Sequence, residues 1–118
     1  MFILTQPVQV SNTITGVPNE GIILASTTDV IDVADNTNNT IKWIVELKDQ
    51  INLKIHSYEI LATNIFNTDI KFNKYGTSTG PRINHSIDVQ LNGSNIELII
   101  INNETVNIDY KIARIQLN

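Results

Sequence analysis

Two histidines, twelve carboxylates and no cysteine are what this 118-residue chain offers for chemistry. Without cysteine there is no thiolate nucleophile, no thiolate metal ligand and no disulfide framework. A zinc site would need three or four ligands at characteristic spacing, and nothing stands beside His56 or His85 to supply them. His85 falls on the apolar parity of its stretch, where a hydrogen-bonded core imidazole is the common outcome. Asp29, Asp32 and Asp35 recur every three residues, which invites a calcium reading. A calcium loop, however, alternates its acids, turns on a glycine and closes with a glutamate, and strand parity would split these three between faces. Carboxylates for glycoside hydrolysis need not be sequence neighbours, yet Glu46, Asp88, Glu97 and Asp109 sit on outward parities and read as a solvated face. Neither a G-x-S-x-G elbow nor a phosphate-cradling glycine loop occurs. Asn38, Asn84, Asn92 and Asn103 each open an N-x-[ST] triplet, as chance provides in so asparagine-rich a chain. The residues predict no catalytic site, no metal and no cofactor, and so no enzyme.

The elements that would position any site are strands. Ile and Asn together make up roughly a third of the residues, far above ordinary usage. Ile favours strands and Asn favours turns, so the bias suggests short strands joined by tight loops. An apolar fraction of 42% against 17% charged belongs to a folded chain, and the length suits one domain. The net charge is −4, and the eight Lys and Arg are scattered singly, which argues against nucleic acid as a partner. The start, MFILTQPVQV, lacks the basic flank and small-residue cleavage site of a signal peptide. Apolar runs such as residues 98–101 are too short to span a bilayer. A soluble protein with no membrane partner is expected.

The chain is organised around residues 40–62. Ile41, Trp43, Val45 and Leu47 share one parity while Lys42, Glu46 and Lys48 share the other, the period of a half-buried strand. Asp49-Gln50 breaks the run, Ile51, Leu53 and Ile55 follow in phase, and Tyr58, Ile60 and Ala62 then take the opposite parity. This reads as a long hairpin, bulged near His56-Ser57, with Trp43 as the apolar anchor of a core. Before it, Val30 disagrees in parity with Ile31 and Val33, and residues 34–39 are turn chemistry. After it come a polar connector around Ile65-Phe66, a strand with Ile70 and Phe72 inward, and the flexible-looking loop 76–81. Residues 82–91 alternate cleanly, with Ile83, His85, Ile87, Val89 and Leu91 on one side. Asn92-Gly93 is a strong hairpin signal, and residues 95–102 return with Ile96, Leu98 and Ile100 inward. Ile99 and Ile101 make the other side of that strand apolar too, so either a second layer or another chain covers it. Residues 107–117 close the sheet with a phase shift near Ala113.

Residues 1–26 read differently. Their apolar patches are separated by Gln6-Pro7 and by a loop over residues 16–21, and Pro7 and Pro18 each remove a ladder donor. They form either an extended N-terminal arm or edge strands, ahead of a domain over residues 27–118. With no helical stripe anywhere, the predicted fold class is all-β. An antiparallel two-sheet β-sandwich, Ig-like or jelly-roll-like, is expected, with an up-and-down barrel as the competing closure.

Several short runs carry a family resemblance. Ile41-Lys42-Trp43-Ile44-Val45 is followed by Tyr58-Glu59-Ile60-Leu61-Ala62 and Lys74-Tyr75-Gly76. The Leu91-Asn92-Gly93-Ser94-Asn95-Ile96-Glu97-Leu98 hairpin and a closing Ile112-Ala113-Arg114-Ile115 come next. In this order, from about residue 28 to 117, the chain resembles a small β-domain that recurs in structural proteins of tailed bacteriophages. The resemblance implies a non-enzymatic virion protein, a capsid decoration, tail or fibre module that binds copies of itself and a major virion protein. It carries over no site residues. The candidate contacts, read from the apolar pattern, are Phe2, Ile3, Leu4, Val8 and Val10 in the arm and Ile99 and Ile101. The alternative is a carbohydrate-binding or host-attachment module using loop 76–81.

Overall fold

The computed structural model describes residues 8–9 and 14–117, which fold into nine strands. These are β1 (Val8–Gln9), β2 (Ile14–Ile23), β3 (Thr28–Asp35), β4 (Thr40–Asp49), β5 (Lys54–Ile65), β6 (Asp69–Tyr75), β7 (His85–Asn92), β8 (Asn95–Asn102) and β9 (Ile108–Leu117). The larger sheet has the order β1-β2-β9-β4-β5-β6 and the smaller one β3-β8-β7, and every pairing is antiparallel. The two sheets pack face to face, so the predicted all-β sandwich is the fold that forms.

Alternation puts the core where it was expected. Ile41, Trp43, Val45 and Leu47 of β4 and Tyr58, Ile60 and Ala62 of β5 are buried from the larger sheet. Ile31, Val89, Ile96, Leu98 and Ile100 meet them from the smaller one. Each large aliphatic buried this way contributes about 1.5–3 kcal/mol. Ile70, Phe72 and Tyr110 pack at the margin of this core.

Three expectations need correction, each for a local reason. There is no bulge at His56-Ser57: β4 and β5 pair in unbroken register from Thr40↔Thr63 to Asp49↔Lys54. The Asp49 carboxylate accepts the backbone N–H groups of Ile51 and Asn52 at 3.0 and 2.9 Å and the Asn52 amide at 2.8 Å. That cap draws Ile51 and Leu53 into an exposed turn, and Ile55 then points outward and His56 inward. Nor does β9 shift phase at Ala113, because its registers with β2 and β4 run through without interruption. The phase only looks shifted because the inward residue is Arg114, while Ile115 and Leu117 face out. Residues 16–21 are strand rather than loop, since β2 pairs with β9 from Ile14↔Leu117 to Ile23↔Ile108. Gly21 is there for close approach: a Cβ at this position would lie 2.7 Å from the hydroxyl of Tyr110, its cross-strand partner.

Other features fall where the sequence pointed. The parity conflict at Val30 is a β-bulge between Val30 and Asp32. The β7–β8 hairpin closes on Gly93-Ser94, with Asn92 opposite Asn95 and Gly93 at φ 59°. β8 is the central strand of the smaller sheet, so Ile99 and Ile101 are half-buried on its outer face, beside Val30 and Thr28. Among the described residues no further layer covers that face. Val8 pairs with Gly16 in β1, whereas Phe2, Ile3, Leu4 and Val10 lie outside the described residues.

Candidate interaction face

The outward parity of the larger sheet is not uniformly polar. Register places Pro18, Ala113 and Ile44 in one row across β2, β9 and β4. The next row holds Gly16, Ile115, Lys42 and Leu61, and the one after it Leu117, Thr40 and Thr63. Ile44, Leu61, Ile65, Ile115 and Leu117 are each left between 38% and 45% exposed. Their neighbours in these rows are small or β-branched, except for the Lys42–Glu59 ion pair at 2.9 Å on β4 and β5 and for Asn73 and Lys71 on β6. On β9, β4 and β5 the half of the face nearer the β5–β6 turn is therefore mostly apolar, with one ion pair set within it.

The other half is a charge ladder. Glu20, Lys111 and Glu46 form one row across β2, β9 and β4, and Ile22, Asp109 and Lys48 the next. These residues, with Gln50 hydrogen-bonded to Asp109, line a shallow groove of about 450 Å³. Opposite charges directly across antiparallel strands support the sheet, which accounts for the ladder without a ligand.

Beneath the apolar rows lies a polar cross-link between the sheets. Arg114 stands directly opposite Trp43 and points inward. Its Nη1 donates to Asp32 Oδ2 at 2.6 Å and to the Val33 carbonyl at 2.8 Å, and its Nε donates to Gln116 Oε1 at 2.8 Å. Trp43 Nε1 donates to the same Asp32 oxygen at 2.8 Å. The bulge in β3 turns Asp32 into the core to meet them. The calcium reading fails on this geometry, since Asp32 is committed to Arg114 while Asp29 and Asp35 are exposed.

Buried asparagines fix the turns around the face. The Asn64 amide donates to the carbonyls of Asn36 and Asn38 and to Asn67 Oδ1, and its oxygen accepts the Asn67 N–H. This clamps the β5–β6 turn, in which Phe66 and Asn67 adopt φ of 50° and 59° and Phe66 is 91% exposed. Asn102 likewise donates to Ile23, Leu24 and Val106 carbonyls and accepts the Glu104 N–H, tying the loops at the opposite end.

Both histidines belong to the packing. His85 Nδ1 lies 2.7 Å from the Ile83 carbonyl and must carry the proton, so Nε2 accepts from the Tyr58 hydroxyl at 2.9 Å. His56 Nδ1 accepts the Ile83 N–H at 3.4 Å, and its ring meets those of Tyr58 and His85 edge-on. Burial lowers both imidazole pKa values below the ordinary range, and nearby Lys74 pushes the same way. Loop 76–81 is tethered through Ser78, which pairs with Ser57 at 2.8 and 3.0 Å.

Sequence reasoning pointed to Ile99 and Ile101, which sit on the outer face of the smaller sheet near Val30 and Val33. It missed the wider face on the larger sheet. The signal was present as Ile44, Leu61, Ile115 and Leu117 on outward parities, but only the β2-β9-β4 order gathers them. No family model matches this chain, and no curated protein matches it either. Among solved structures, a tailspike protein of Acinetobacter baumannii phage AM24 is similar with a TM-score of 0.49 and 8% identity. The match covers 88% of this chain and 26% of the tailspike chain, so the chain spans about a quarter of that protein's length.

Proposed function

We propose that this chain is a non-enzymatic assembly module of a bacteriophage virion, in the capsid decoration, tail or fibre, that binds copies of itself and a major virion protein. The observation that carries the binding role is the group of half-exposed apolar side chains Ile44, Leu61, Ile115 and Leu117 on neighbouring cross-strand rows, with Ile65 beyond them on β5. Contiguous exposed apolar surface of this kind marks protein contact sites. A charged ladder beside it gives the polar border that such sites have. The phage setting comes from the sequence pattern of residues 28–117.

The test is incorporation. Quantitative mass spectrometry of gradient-purified particles should find the chain at a fixed copy number per particle. A tagged Ile44→Lys, Leu61→Lys chain supplied in trans should fold, because both positions are surface residues, yet be left out of particles. Absence of the native chain from particles, or equal incorporation of the double variant, overturns the reading.

A further inference from the structure

Residues 76–84 carry the chain from β6, an edge of the larger sheet, to β7, an edge of the smaller one. Ile83 is the residue of this connection that enters the core, and it does so ahead of the β7 ladder, which begins at His85. Its backbone is held by two imidazoles instead. His56 Nδ1 accepts the Ile83 N–H at 3.4 Å, and His85 Nδ1 donates to the Ile83 carbonyl at 2.7 Å. The two rings meet edge-on with centroids 5.2 Å apart, and the buried Tyr58 hydroxyl donates to His85 Nε2. His56 Nε2 is buried with no hydrogen-bond partner. On either side of Ile83 the connection is fastened without histidine. The Ser78 N–H donates to the Ser57 carbonyl at 2.8 Å, and the Asn84 N–H donates to Glu104 Oε1 at 2.7 Å. The charges that bear on the pair are positive: Lys74 of β6, 4.2 Å above the Tyr58 ring, and Arg82 of the connection itself. Carboxylates on the neighbouring elements are committed elsewhere. Glu104 lies 3.9 Å from Lys54, Asp49 of β4 caps its own turn, and Glu59 takes Lys42. Among the described residues no carboxylate pairs with either imidazole.

We propose that His56 and His85 form an acid-released latch on Ile83, which on protonation lets the middle of the 76–84 connection leave the core while both sheets stay paired. A proton on His56 Nδ1 sets one N–H against another, so the bond to Ile83 is abolished rather than weakened. A proton on His85 Nε2 removes the acceptor of the Tyr58 hydroxyl, whose hydrogen is then buried unpaired. His85 keeps its bond to the Ile83 carbonyl, but two adjacent imidazolium charges beside Lys74 and Arg82 have no counter-charge in the core. Moving Ile83 outward brings water to both rings and relieves all three penalties together. The β4–β5 and β7–β8 ladders run in unbroken register through backbone bonds that neither imidazole joins. The opening is therefore local, a step short of unfolding. It exposes the Ile83 side chain, 2% exposed when latched, and the apolar seat it vacates. The latch goes beyond the assembly reading and is independent of it, since it asks nothing of the outer faces.

Hydrogen exchange of the Ile83 amide, read by NMR and corrected for the intrinsic pH dependence of exchange, tests this from about pH 7.5 to about pH 5. The latched form holds both imidazoles below their ordinary 6.5, and the open form takes up protons at that value. The latch is therefore fully closed above pH 6.5 and loses ground as the pH falls below it. The opening constant of Ile83 should rise by up to about tenfold per pH unit for each site. At every pH in that range Ile83 should exchange far ahead of the central-strand amides of Trp43 and Leu98, the mark of a local opening. His56→Asn puts a non-titrating oxygen near the place of Nδ1, and the slope should fall by the share of one site. An Ile83 amide that exchanges independently of pH, or only together with Trp43 and Leu98, overturns the proposal, as does a full slope in His56→Asn. Should that variant not fold, side-chain NMR titration of the native chain decides. Imidazoles that titrate below 6.5 support the latch, and either one titrating at or above it overturns the latch.

Discussion

Arg114→Met is the sharpest probe of how the two sheets are joined. Methionine keeps much of the aliphatic stem but deletes the guanidinium. Asp32, only 7% exposed, would keep a single donor, Trp43 Nε1, and the Val33 carbonyl would lose its side-chain partner. Removing one member of a buried ion pair costs about 3–5 kcal/mol, because the remaining charge stays buried without compensation. A domain of this size has about 5–15 kcal/mol in total. The melting midpoint should therefore fall by about 10–25 °C. Asp32→Leu should cost a similar amount by stranding Arg114. The double variant Asp32→Leu, Arg114→Met removes both charges and should cost far less than the sum of the two. Its remaining penalty is about 1–3 kcal/mol, from the indole N–H left without an acceptor. Urea unfolding followed by fluorescence of Trp43, the one tryptophan, gives all four corners of the cycle. Additive losses, or an Arg114→Met loss below about 1 kcal/mol at unchanged m-value, would refute the claim that this pair is a coupled, buried cross-link.

Two further outcomes follow from other parts of the core. His56 and His85 are held below the ordinary value of 6.5, chiefly by burial, with Lys74 adding repulsion at both and Arg82 at His56. The unfolded chain then takes up protons before the folded one, so stability is full above pH 6.5 and declines below it, by up to about 1.4 kcal/mol per pH unit per site. Urea midpoints should drop between pH 7.5 and 5.5, and His56→Leu should flatten that drop; a pH-independent midpoint contradicts it. Gly21→Ala places a Cβ 2.7 Å from Tyr110 Oη and 2.9 Å from its ring, a clash worth about 1–3 kcal/mol. Calorimetry should show most of that loss vanish on a Tyr110→Leu background, and an equal loss in both backgrounds would mean the ring is not the obstacle.

What could be read in advance was whatever repeats locally. The alternation of β4, the inward Ile96, Leu98 and Ile100 of β8 and the Gly93 turn are all short-range patterns, and all are in the fold. The failures came where one residue was claimed by a distant partner. Arg114 on a core parity looks like an error of phase until Asp32, 82 positions away, arrives to neutralise it. Ile51 and Leu53 look like core until the Asp49 cap is seen to consume them in a turn. The interaction face was least visible of all, because it is assembled by strand order. No pattern within β4 or β9 says that Ile44 and Ile115 will be near neighbours, and Phe66 stood in a stretch that looked merely polar.

The place of β9 has a consequence for how the chain reaches this state. It lies between β2 and β4, so its two ladders cannot form until segments far apart along the chain have been brought together. Closing such long loops before any contact rewards them is what slows all-β domains to the millisecond-to-second range. Until β9 docks, β2 and β4 both present open edges, the condition in which chains pair with the wrong neighbour. Trp43, facing Arg114 across the β4–β9 seam, is placed to register its closure.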